Sequence, residues 1–133
     1  ALRGALTVGE TELAFARLHQ YSQKRLLGDH VPYAIEAWPE NNMKHLSAES
    51  ALYARIFIEG MLGIKPIDFE SVSINPKLPK SWGSLSLKQV YLHGKPVDIN
   101  IVREWKGFRV VITSGERIIF DGIQKNEAVV IMP

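Results

Sequence analysis

The apolar residues of this chain change their repeat at Pro66, from the spacing of a helix to the spacing of a strand. A helix puts every third or fourth residue on one face, whereas a strand turns every second residue inward, so one segment cannot satisfy both rules. The chain therefore divides into a helical part, residues 1–65, and a strand part, residues 66–133, and the expected class is α+β. In the second part Val72 and Ile74 alternate with Ser71, Ser73 and Asn75. Leu85 and Leu87 alternate with Ser86 and Lys88, and the phase slips near Gln89, as a β-bulge would make it. The sets Val97/Ile99/Ile101, Phe108/Val110/Ile112, 117–120 and 128–131 follow, separated by turn residues at His93-Gly94, Lys106-Gly107, Ser114-Gly115 and Asp121-Gly122. Short strands joined by tight turns predict an antiparallel β-sandwich or sheet.

Two helices are expected before Pro66. Thr7-Val8-Gly9-Glu10 fits a capping box that opens a helix running to about Leu27, with Gly28 as its stop. On that helix Leu13, Ala14, Leu18, Tyr21 and Arg25 share one side. The second helix is expected from Ser47 to about Leu62, ended by Gly63 and kept from resuming by Pro66. Ala48, Ala51, Leu52, Ala54, Ile56, Phe57, Ile58, Met61 and Leu62 point in nearly every direction around it, so it should be buried on most sides. Two helices cannot enclose such a surface between them. The expectation is that further helices surround it, and that Ala1-Leu2-Arg3-Gly4 is the tail of an earlier element of something longer. The plainer alternative is packing against the strand part alone.

Composition narrows the functional classes. Of 133 residues 46% are hydrophobic, enough apolar surface to offset chain entropy and exclude disorder. No run of about 18 apolar residues occurs, so no membrane partner is expected. Sixteen Lys and Arg face fourteen Asp and Glu, a net charge of +2 without the clustering that nucleic acid demands. The absence of cysteine removes disulfides, thiolate catalysis and Cys-type zinc sites.

Chemistry concentrates between the two helices. Residues 29–46 make a long connection where about 2–8 residues usually suffice. They carry Tyr33, Glu36, Trp38, Glu40, Asn41, Asn42 and His45. Aromatic rings beside carboxylates and amides are what a sugar site needs: a pyranose face stacks on an indole, and its hydroxyls require paired donors and acceptors. The competing reading is a solvated loop whose Trp38 plugs the core. Arg55 and Glu59 stand four apart and form an expected helix-anchoring ion pair, and Glu49 either holds the loop or lines the site. His45 and Glu49 have ligand spacing, yet no third ligand accompanies them, so no metal and no cofactor is expected. Ser47 reads as a helix N-cap rather than a nucleophile. Trp82 and Trp105 would either cap a small core or form a sugar-binding surface.

The run His45 to Tyr53, followed by Arg55, Glu59-Gly60, Leu62-Gly63-Ile64 and Pro66, resembles the end of a six-hairpin, (α/α)6-barrel glycosidase. In that family a last barrel helix ending "EG-x-x-G-I-x-P" leads into a C-terminal β-sandwich opening with "P-x-L-P-x-x-W", which Pro76-Lys77-Leu78-Pro79-Lys80-Ser81-Trp82 matches. The likeness spans about Glu36 to Ile112 and is closest to bacterial α-L-rhamnosidase-like hydrolases, more distant to the disaccharide phosphorylases that share the barrel. It implies that residues 1–65 are the last helical hairpin of such a barrel and that 66–133 are its β-sandwich module. It also implies that Glu36, from the "W-E-x-W" segment, is the general base of an inverting hydrolysis, with His45 in support. Ile35 stands where the family has the first Trp, and Leu46-Ser47-Ala48-Glu49 replaces "S-L-N-H".

Inversion needs two carboxyl groups about 6.5–9.5 Å apart, one to protonate the leaving oxygen and one to deprotonate a water. Glu36 would be the second, with Tyr33, Trp38, Glu40 and Asn41 binding the carbohydrate. The acid would lie on a barrel segment outside this chain, so the 133 residues alone are expected to be catalytically silent. The remainder of the barrel is then their partner. A carbohydrate-binding sandwich, a structural module and a disaccharide phosphorylase are the competing readings.

Overall fold

The computed structural model describes residues 1–25, 47–125 and 128–132. The chain forms two compact units, Ala1–Gly60 and Met61–Pro133.

The first unit is helical: α1 (Leu2–Thr7), α2 (Thr11–Arg25) and α3 (Ser47–Arg55), the last continuing as a π-helical turn over Ile56–Met61. The capping box expected at Thr7–Glu10 does not form. Thr7 closes α1 instead, its hydroxyl donating back to the Arg3 carbonyl at 2.9 Å, and Gly9 takes a φ of +90° that separates the two helices. α2 buries Ala14 and Leu18, whereas Leu13, expected beside them, is exposed. Leu6 of α1 is fully buried and reaches Gly60, where an added Cβ would sit 2.6 Å from the Leu6 Cδ1. Glycine is what lets these two segments touch. α3 departs from expectation in the same way as α2, but more strongly. Leu52 is 51% exposed, Ala51 and Ala54 are exposed, and Ile56, Phe57 and Ile58 are only half-buried. Leu52, Ala51 and Ala54 are thus left open, while the apolar residues that follow α3 are half-buried or buried.

The second unit holds two antiparallel sheets. One has the order β1-β2-β7, from Lys65–Pro66, Ser71–Ile74 and Ala128–Ile131. The other is a meander of β3 (Ser84–Leu92), β4 (Lys95–Glu104), β5 (Gly107–Ser114) and β6 (Arg117–Gln124), each strand paired with the next. The phase slip at Gln89 is a bulge: the β3–β4 register shifts between Leu87 and Val90, and Gln89 takes a φ of 55°. Val97, Ile99, Ile101, Val110 and Ile112 supply the inward face of the meander, and Val72, Ile74 and Val130 supply buried apolar positions in the smaller sheet. β2 lies between two neighbours, and all four of its residues are buried, Ser71 and Ser73 included.

The end of the π-turn belongs to this unit. Met61, Leu62 and Ile64 are buried, and the carbonyls of Met61 and Leu62 accept from the Lys77 and Asn75 amides at 2.7 and 3.1 Å. Gly63 makes that close approach possible, with a φ of +64° and space for a Cβ only 2.3 Å from the Asn75 oxygen. Arg103 fastens the segment between β2 and β3. Its guanidinium donates to the carbonyls of Leu78 and Pro79, each at 2.9 Å, and of Trp82 at 3.2 Å, while lying 4.7 Å from the centre of the Phe108 ring.

Candidate functional site

The residues that the sequence singles out for chemistry, Tyr33, Glu36, Trp38, Glu40, Asn41 and His45, all lie outside the described residues, as do Asn42, Gly28 and His30. The elements on either side of them are described. α2 leads into that segment and α3 leads out of it, and the two helices meet through aromatic and polar contacts.

Tyr53 is the centre of that meeting. Its ring stacks on Tyr21 with centroids 5.9 Å apart and an interplanar angle of 20°, and meets Phe57 edge-on at 5.4 Å. Its hydroxyl lies 2.8 Å from the Ser22 Oγ. Ser22 in turn donates to the Leu18 carbonyl at 2.8 Å, so the tyrosine is tied to the backbone of α2. One turn on, Glu59 receives Arg55 as the i,i+4 spacing predicts, through Arg55 Nε on Oε1 and Arg55 Nη2 on Oε2 at 3.1 Å. Arg3 of α1 also binds Oε2 of the same carboxylate, a contact no local spacing could reveal. Two guanidiniums on one carboxylate leave an excess positive charge. Both oxygens of Glu59 accept from guanidinium groups, which suits an anchoring role.

A cleft of about 300 Å³ opens beside this network, walled by Leu2, Arg3, Tyr21, Leu52, Tyr53 and Ile56. It offers stacked rings, aliphatic walls and a cation. Among the described residues no group of three His, Asp or Glu side chains is placed to hold a metal ion. Among the described residues no helix is long and apolar enough to cross a membrane.

The two tryptophans of the two-sheet unit differ in exposure. Trp105, in the two-residue turn between β4 and β5, is 90% exposed, so it does not cap the core. Trp82 is half-buried, with its carbonyl held by Arg103. The outward face of the meander carries a bidentate pair, Arg109 Nε and Nη2 on Asp121 Oδ1 and Oδ2 at 2.9 and 2.8 Å. The guanidinium holds the Asp121 carboxyl below its ordinary range, and the carboxylate pushes Arg109 up. Nearby, Ser86 Oγ donates to Asn100 Oδ1.

One group of residues escaped the sequence reading. Phe69 is 97% exposed at the tip between β1 and β2, with Ile67, Val129 and Ile131 also more than half exposed. A lone aromatic between two acids in a turn has no periodicity to mark it.

The chain matches no protein-family model, no curated protein and no solved structure.

Proposed function

We propose that this chain is the C-terminal portion of a carbohydrate-active enzyme, with its helices closing an (α/α)6 barrel and its two-sheet unit following as the terminal module. The observation that carries the reading is the open apolar surface of α3. Leu52 at 51% exposure, with Ala51 and Ala54 exposed beside it, is surface that companion helices would remove from water. The order of motifs from the Glu-Ala-Trp segment at residue 36 to Trp82 supports the same assignment.

On this reading the reaction is glycoside hydrolysis with inversion. Glu36 takes the proton from the attacking water, and His45 holds the base in position. Tyr33, Trp38, Glu40 and Asn41 hold the sugar. A carboxylic acid from another barrel segment protonates the leaving oxygen, at the separation of about 6.5–9.5 Å that leaves room for the water. Phosphorolysis of a disaccharide uses the same barrel with phosphate in place of water.

The test compares the 133-residue chain with the complete barrel polypeptide on an aryl glycoside such as 4-nitrophenyl α-L-rhamnoside. The expected result is no turnover by the short chain, inverting turnover by the barrel, and a loss of about 10²–10⁴-fold in kcat for Glu36→Gln. Turnover by the short chain alone, or a Glu36→Gln barrel of undiminished kcat, contradicts it.

A second reading, a non-catalytic carbohydrate-binding sandwich, has the exposed Trp105 in its favour. It requires weak sugar binding that Trp105→Ala abolishes, measured on the same short chain.

A further inference from the structure

We draw no further inference here: the strongest candidate, the hollow of about 500 Å³ that Phe69, Val129 and Ile131 share with Asp68 and Glu70 at the edge strand β7 of the smaller sheet, is an open apolar surface, and nothing in the structure shows what covers it.

Discussion

The two units of this chain solve the burial of apolar surface differently. In the two-sheet unit each strand of the meander finds its neighbour through a short turn, and the inward residues Ile99, Ile101, Val110 and Ile112 end with no exposure at all. In the helical unit α3 leaves Leu52, Ala51 and Ala54 in water. The difference follows from how each element satisfies itself. A helix completes its backbone hydrogen bonds alone and depends on outside partners only for its side chains, whereas antiparallel strands bring their partners with them. Local topology therefore covers the inward face of the meander, while outward residues such as Ile118 and Ile123, each 62% exposed, stay in water as Leu52 does.

The largest contrast should come from truncating one side chain in each unit. Ile99→Ala or Ile112→Ala is expected to destabilise the second unit by about 2–5 kcal/mol, because each removes a fully buried side chain and leaves a cavity. Leu52→Ala in the helical unit should cost less than about 1 kcal/mol in the same urea denaturation. Equal losses would erase the contrast. Next in size is Arg103→Ala, expected to cost about 1–3 kcal/mol, since three carbonyls lose a charged donor. Arg103→Lys should not restore it, because an ammonium cannot reproduce the planar fork. Smaller still is Glu59→Gln, at about 0–1 kcal/mol and weakening with added salt, because the Arg3–Glu59–Arg55 cluster is partly solvent-exposed.

The smallest effect is on pH dependence. Asp121 and Asp68 both titrate below their ordinary value, Asp121 because of Arg109 and Asp68 because of the Glu70 amide and the Ser71 hydroxyl. A carboxyl whose folded-state value is depressed adds stability that is present above the unfolded value, about 3.9, and is lost as the pH falls through the folded value. Carboxyl ¹³C shifts should place both midpoints below about 3.9, and Arg109→Ala should return Asp121 alone to the ordinary range.

How much of this was legible in the sequence depended on how local each feature is. The Gln89 bulge announced itself as a slipped alternation, and the His93-Gly94 turn as a dipeptide that tolerates left-handed backbone. Both residues do take positive φ. The Arg55–Glu59 pair was readable from its spacing, but the entry of Arg3, from another helix, was not. The Tyr21–Tyr53 stack was hidden for the same reason. Thr7 misled because an S/T-x-x-E pattern marks a helix start only if the chain is extended there, and Gly9 ends one helix just before the next begins. Phe69 gave no signal because exposure is decided by tertiary structure, not by the neighbours of a residue in sequence. The general-base assignment to Glu36 rests on the pattern of residues around it.

Amide hydrogen exchange on the 133-residue chain tests the contrast most directly. If α3 is a surface awaiting companions, its amides over Ser47–Arg55 exchange orders of magnitude faster than those of the paired strands β4 and β5. If instead α3 is protected to the same degree as those strands, its apolar surface is already covered within this chain, and the need for surrounding helices disappears.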